Sequence, residues 1–218
     1  PDTLIHLSWE GLPNYKELFH FEKNFVYNYF FLKNINDNGL RDVTVIGTCF
    51  EYGMKNGLLT EGDSTDPMNP YALAKDTLRI FLVELNRKDP FAFKLIRLFN
   101  MHGEGQRRNS IIEQLKTAIA NGDQSFNMSG GEQLRDYLPV ETVGEYIVKI
   151  AVQSRIQGII NCCSGVPISI RKLVEDYLEK SNKSIKLNLG YYPYNDYEPM
   201  AFWGSTEKLN CNLDNNKE

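Results

Sequence analysis

Twice in this chain a lysine follows a tyrosine by four positions, at Tyr71-Ala-Leu-Ala-Lys75 and at Tyr29-Phe-Phe-Leu-Lys33. On a helix that spacing stacks both side chains on one face, a turn apart. An ammonium beside a phenol favours the phenolate, lowers the tyrosine pKa and lets the hydroxyl give and take a proton near neutral pH. With 12 tyrosines in 218 residues, about one such pair arises by chance, so context must choose. Tyr29 sits inside the aromatic run Phe-Val-Tyr-Asn-Tyr-Phe-Phe and reads as packing rather than catalysis. Tyr71 follows Asn69-Pro70, a pattern that opens helices. It lies downstream of Thr48, which closes an apolar run and whose hydroxyl can hydrogen-bond the substrate oxygen that Tyr71 protonates. Taken alone, Thr48 is also simply a residue at the end of a strand.

Elements must bring these side chains together. Four short apolar runs, 3–9, 42–48, 91–99 and 158–163, look like buried parallel strands. Helical patterns cover 17–38, 70–88, 109–121, 141–154 and 169–182, while 51–69, 122–139 and 187–205 read as loop-rich. Strand and helix alternate, which predicts an α/β doubly wound sheet. In such sheets the ligand lies beyond the carboxyl ends of the strands. Leu7-Ser8-Trp9, Thr48-Cys49, Phe99-Asn100 and Ser164-Gly165 are therefore the positions expected to carry chemistry.

Composition narrows the classes. Hydrophobic residues make up 42% and charged residues 24%, the balance of a globular protein with a real core. The net charge of -4 offers no basic field, so neither nucleic acid nor an anionic membrane is the expected partner. An anionic substrate must then be held by individual Arg or Lys side chains. The apolar runs are too short to span a bilayer, and no signal peptide opens the chain. The four cysteines, Cys49, Cys162, Cys163 and Cys211, form no CxxC pair and no Cys/His ligand spacing, so no metal is expected and a reducing cytoplasm fits best. His6 and His102 read as structural, Glu141 as helix N-terminal polarity, and Glu61-Gly-Asp63 as a solvated loop.

Five segments in order, Thr-Cys-Phe-Glu-Tyr-Gly (48–53), Asn-Pro-Tyr-Ala-Leu-Ala-Lys (69–75), Leu-Ile-Arg-Leu-Phe-Asn-Met-His-Gly-Glu-Gly-Gln (95–106), Leu-Arg-Asp-Tyr-Leu-Pro-Val-Glu (134–141) and Ile-Asn-Cys-Cys-Ser-Gly-Val-Pro-Ile-Ser-Ile (160–170), resemble the successive motifs of the extended short-chain dehydrogenases/reductases, the NAD-dependent epimerase/dehydratase family acting on nucleotide sugars. The resemblance spans roughly residues 2–210. It implies that Thr48 is the catalytic Ser/Thr, Tyr71 the general acid/base, and Lys75 its partner, which also holds the nicotinamide ribose. His6-Leu7-Ser8-Trp9 is similar to a segment whose backbone lies against the cofactor, so Leu7, Ser8 and Trp9 are implied there, with Asn24 near the cofactor and Phe99 near the nicotinamide. Cys49 and Asn100 fall on the substrate side, Asn100 and Arg135 at the diphosphate, where a planar guanidinium suits two phosphate oxygens. By themselves Asn24 and Asn100 equally suit caps or turns, and Arg135 a solvated loop.

The resemblance implies a Rossmann-like sheet lacking its first strands, with a small C-terminal substrate-binding lobe. Residues 1–121 and 141–165 would form a partial cofactor domain, and 122–140 and 166–218 mainly the lobe. The family's opening Gly-rich turn at a helix N-terminus, which lets the backbone approach the cofactor pyrophosphate, has no counterpart here. On the order of two βα units are expected to be missing from the front of the chain. Loss of those strands leaves the 3–9 edge open and predicts a homodimer. Cys49 and Phe50 stand where the family's 4,6-dehydratases carry Asp-Glu, which disfavours dehydration. The implied cofactor is NAD or NADP and the implied partner a nucleoside-diphosphate sugar. The expected reaction is reduction at C4 of a nucleoside-diphosphate 4-keto-6-deoxy sugar. The alternatives are a nucleotide-sugar 4-epimerase and, in another class, an inactive fragment or noncatalytic binding protein.

Overall fold

A computed structural model describes residues 2–213. In chain order it forms β1 (Leu4–His6), a π-helical turn (His20–Phe25) running into α1 (Val26–Asp37), β2 (Asp42–Thr48), a 3-10 turn (Cys49–Tyr52), β3 (Gly57–Leu59), α2 (Pro70–Lys88), β4 (Ala92–Leu98) and β5 (Asn100–His102). There follow α3 (Ile111–Asn121), β6 (Ser125–Asn127), β7 (Leu134–Pro139), α4 (Val140–Ala151), β8 (Gly158–Cys162), β9 (Pro167–Ser169), α5 (Ile170–Lys180), β10 (Lys186–Asn188), β11 (Phe202–Gly204) and α6 (Glu207–Leu213).

The four apolar runs of the sequence become one parallel sheet in the order β1-β2-β4-β8. Both faces are covered, which is why apolar residues stand on both faces of these strands, with Thr44, Lys94, Arg97 and Asn161 as buried polar exceptions. On one face Val43, Val45, Phe93 and Leu95 pack with Leu32 of α1 and Leu78 and Leu82 of α2. On the other, Ile46, Ile96 and Ile160 pack with Ile147 and Ile150 of α4 and Leu209 of α6. Ile96 and Ile160 are completely buried, and each such side chain contributes about 1.5–3 kcal/mol through removal from water. The α/β doubly wound arrangement expected from the sequence is the arrangement found. Among the described residues β1 pairs with β2 and has no strand on its other edge. Among them too, no helix is long and apolar enough to cross a membrane.

Three parts of the sequence reading change. Run 3–9 is a strand only over Leu4–His6; the chain then leaves the sheet, and Leu7 and Ser8 are exposed. Pattern 17–38 is not one helix: it opens as a π-helical turn with His20 and Asn24 buried, and α1 begins at Val26. The three segments read as loop-rich carry strands. β5, β7 and β9 form a three-stranded sheet, β10 pairs with β6, and β11 with β3. Most are three residues long and half-polar, too short for a period-two pattern to register. β7 hides differently: its Arg135 and Asp136 are buried charges, which a hydropathy reading assigns to solvent. A second core, with Leu115 and Ala118 of α3, Phe126 of β6 and Ile170 and Val174 of α5, supports this smaller region.

Candidate active site

β2 ends at Thr48, and the chain turns at once into the 3-10 turn Cys49–Tyr52. The turn is held by a capping box: Phe50 N–H donates to Thr48 Oγ1 at 3.3 Å, and Thr48 N–H donates to Glu51 Oε1 at 2.9 Å. Gly53 closes it at φ +74°, where a Cβ would stand 1.9 Å from the Asp66 carbonyl oxygen, so only glycine fits. α2 starts just beyond, with Asn69 accepting from Ala72 N–H at 2.9 Å and Pro70 in its first turn. This puts Tyr71 and Lys75 on the buried face of α2, one turn apart, toward the end of β2.

The Tyr71 phenol lies near the Thr48 hydroxyl. Burial pushes the phenol well above its ordinary range, partly offset by that hydroxyl. This corrects the expectation that Lys75 lowers it. The Lys75 ammonium donates to the Ile46 carbonyl oxygen at 2.8 Å and lies 4.1 Å from the centre of the Trp9 ring, so its charge is directed at a carbonyl and an indole face. Burial in turn lowers Lys75 to about 7, opposed by the negative charge of Glu51. The site thus holds a protonated phenol beside a lysine that titrates near neutrality.

Two cavities open on the elements around this site, and Thr48, Tyr71 and Lys75 themselves line neither. The smaller, about 410 Å³, is lined by Leu7, Ser8 and Asn24 together with His6 and Asn28. Trp9 meets the Tyr71 ring edge-on at 6.0 Å. Trp9 Nε1–H donates to His20 Nδ1 at 3.1 Å, and His20 Nε2 lies 3.0 Å from the Asn14 carbonyl oxygen, which makes Nε2 the protonated nitrogen. Asn24 donates to the Glu10 carbonyl oxygen at 2.9 Å, tying the segment after β1 to the π-helical turn. The larger cavity, about 760 Å³, is lined by Asn100, Arg135, Tyr137, Arg107, Glu198 and Tyr15, among others. Tyr15 reaches from it to Tyr71, with ring centres 5.4 Å apart.

Leu7, Ser8 and Asn24 therefore fall on one cavity and Asn100 and Arg135 on the other, while Tyr71 touches Trp9, which also meets Lys75, and Tyr15 of the larger cavity. Phe99 and Cys49 are placed in the core. Phe99 is buried among Tyr52, Phe202 and Cys163 and lines neither cavity. Cys49 is buried beside Thr48, its thiol pushed far up by burial. Arg135 is not solvated: its Nη2 and Nε donate to Glu198 Oε2 at 2.8 and 3.2 Å, and Nη1 to the carbonyl oxygens of Leu134 and Met200. Next to it, Asp136 accepts from Ser164 N–H, Ser164 hydroxyl, Gly165 N–H and Gly204 N–H, fastening β7 to the turn after β8 and to β11. Tyr15, Glu51, His20 and Glu198 were not singled out from sequence. Only Glu51 left a signal, the Thr-Xaa-Xaa-Glu spacing of a capping box.

The model of the NAD dependent epimerase/dehydratase family matches residues 1–163. The chain belongs to that family. Its relatives are nucleotide-sugar 4-dehydrogenases and reductases. The dTDP-6-deoxy-L-talose 4-dehydrogenase (NAD(+)) of Aggregatibacter actinomycetemcomitans is 29% identical over 205 residues, covering 94% of this chain and 75% of the relative. The dTDP-4-dehydro-6-deoxyglucose reductase of Escherichia coli is 28% identical over 197 residues, 83% of this chain and 60% of the relative. Two solved structures share the fold. RMD from Pseudomonas aeruginosa complexed with NADPH has a TM-score of 0.84 at 19% identity, covering 98% of this chain and 75% of that one. A UDP-N-acetylglucosamine 4-epimerase from Methanobrevibacter ruminantium has 0.81 at 24%, covering 92% and 67%.

The smaller cavity suits the nicotinamide-ribose end of the family's cofactor. His6 Nδ1 is buried in its wall without a hydrogen-bond partner, and burial lowers His6 to about 4, so the ring is neutral and able to pair with a polar ligand atom. Ser8 and Leu7 are exposed on the same wall.

Proposed function

We propose that this chain is an NAD(P)-dependent oxidoreductase that reduces, reversibly, C4 of a nucleoside-diphosphate 4-keto-6-deoxy sugar. The observation that carries the reading is the gathering of Thr48, Tyr71 and Lys75 at the end of β2, with Tyr71 and Lys75 one turn apart on the buried face of α2 and the Tyr71 ring against Tyr15 of the larger cavity. The two relatives named for dTDP-linked 6-deoxy sugars support the substrate class.

Bound NAD or NADP supplies the hydride. Leu7, Ser8, Trp9, Asn24 and Lys75 hold it on the β1 side. Thr48 holds the C4 oxygen and Tyr71 gives it a proton; burial keeps that proton on Tyr71 until the oxygen gains charge. Asn100 and Arg135 meet the diphosphate, and exposed Arg107 faces the same cavity, so binding remote from C4 orients the carbon. For Arg135 this means exchanging the Glu198 carboxylate for phosphate oxygens. Cys49 closes the substrate side behind Thr48. Its thiol stays protonated and Phe50 carries no proton, so the pair cannot perform the acid–base steps of water elimination. In this reading residues 1–110 and 141–165 form the cofactor side. The substrate lobe takes in 122–140, 166–213 and, because of its packing, α3.

The protein acts as a homodimer in the cytoplasm. Tyr27, Phe30 and Phe31 on α1 and Ile80 and Phe81 on α2 leave an apolar surface open to a second copy. Buried Cys49, Cys162 and Cys163 form no disulfide, which suits a reducing compartment.

The test is to supply dTDP- or GDP-4-keto-6-deoxyhexose with NADH or NADPH and follow the absorbance of the reduced cofactor. One reduced cofactor consumed per sugar supports the reading. No consumption, with UDP-sugars interconverted at C4 without added cofactor, makes the protein a 4-epimerase instead.

A further inference from the structure

Beneath the Thr48–Tyr71 pair lies a second layer of charge. Glu51 is completely buried and Arg97, projecting from β4, is 1% exposed. Arg97 Nε donates to Glu51 Oε2 at 2.7 Å, while the other carboxylate oxygen accepts Thr48 N–H at 2.9 Å. Each oxygen of Glu51 thus has its own donor: one from the central sheet, one from the backbone of the residue that carries the reactive hydroxyl. The Arg97 guanidinium lies 4.4 Å from the centre of the Tyr52 ring and 4.0 Å from Asp76 Oδ1. Asp76 is secured by Thr65 and Arg79, and Tyr52 by its hydroxyl donating to Asn161.

A buried ion pair is a costly way to hold a turn; apolar side chains of similar volume often do so at least as well. The capping box alone explains one oxygen of Glu51 and leaves Arg97 unexplained. The neighbours supply the reason. On α2, Tyr71 and Lys75 feel the Glu51 charge, which opposes burial at Lys75 and adds to it at Tyr71; burial raises the Glu51 carboxyl itself, and Arg97 and the Thr48 N–H act against that to keep it ionised.

We propose that Glu51, anchored by Arg97, is a positioning residue for proton transfer: it fixes Thr48 through the backbone and supplies the negative charge against which Lys75 and Tyr71 are set. The proposal rests on the reading of Thr48, Tyr71 and Lys75 given above. The groups that share the layer are Arg97 on β4, Asp76, Tyr71 and Lys75 on α2, Thr48 on β2, and Cys49 and Tyr52 in the turn itself.

Two variants of the full-length protein test it. Glu51→Gln offers a single oxygen to two donors, so Thr48 N–H and Arg97 compete, and the charge is gone. Glu51→Gln combined with Arg97→Met removes the competing donor and leaves no uncompensated cation, returning the oxygen to Thr48 but not the charge. Folding is checked by thermal melting. The single variant should lose about tenfold in kcat with KM within about twofold, and the double variant should recover most of kcat. Independently of activity, NMR of 13C-labelled lysine side chains should show one resonance titrating near neutral pH, absent in Lys75→Met. Its midpoint should fall by at least about half a pH unit in both variants. A folded single variant with the parent's kcat, or a Lys75 midpoint unmoved in either variant, overturns the proposal. A parent without turnover defeats the functional reading alone, because the lysine titration still reads the charge.

Discussion

Tyr71 and Lys75 carry their protons against opposite pressures: burial holds the phenol's proton on and pushes the ammonium's proton off. If Tyr71 is the proton donor, Tyr71→Phe should cut kcat about a hundredfold or more while NAD(P)H binding, read by fluorescence titration, changes little. Arg135→Ala should act differently. It removes a contact made equally in ground and transition states, so KM for the nucleotide sugar should rise about tenfold with kcat nearly unchanged in steady-state kinetics. The placement of Tyr71 and Lys75 on one buried helix face, near the strand-end Thr48, was legible from their spacing and from Asn69-Pro70 before them. Glu198 and Tyr15 were not, since nothing local marks a side chain whose partner, Arg135 or Tyr71, is remote in sequence. Phe99 was placed at the cofactor by resemblance, yet its ring turns into the core beneath β11.

The four strands of the main sheet could be read from sequence because burial on both faces makes each mostly apolar, although β1 proved shorter than its run. The short strands around the larger cavity could not, because hydrogen bonds from polar side chains hold them as much as apolar packing does. Asp136 shows this most plainly, joining β7 to the turn after β8 and to β11 through Ser164, Gly165 and Gly204. Asp136→Ala would leave the backbone N–H groups of half-buried Ser164 and Gly165 and of buried Gly204 without their acceptor, at about 1–3 kcal/mol for a fully buried group. Urea unfolding should show a loss of about 1–3 kcal/mol, with the nucleotide-sugar KM rising because Arg135 sits on the same strand.

Across the whole molecule, buried Lys75 ties stability to pH. Its folded value of about 7 lies below the ordinary 10.5, so between those limits the unfolded chain binds a proton that the folded chain does not. Folded stability is therefore lost as pH falls through that window, by at most about 1.4 kcal/mol per pH unit. Melting curves should show Lys75→Met more stable than the parent at pH 7, with the margin shrinking toward pH 10.5. His6 adds the same sign lower down, as pH falls from 6.5 toward 4. The central proposal is hydride transfer to a sugar carbon whose oxygen is held by Thr48 and protonated by Tyr71. The most direct measurement supplies reduced cofactor deuterated at its transferable position, together with a nucleoside-diphosphate 4-keto-6-deoxy sugar, and locates the label by NMR and mass spectrometry. The account predicts one deuterium at C4 of the product sugar, with incorporation nearly abolished in Tyr71→Phe. A product formed without deuterium at C4 would contradict it.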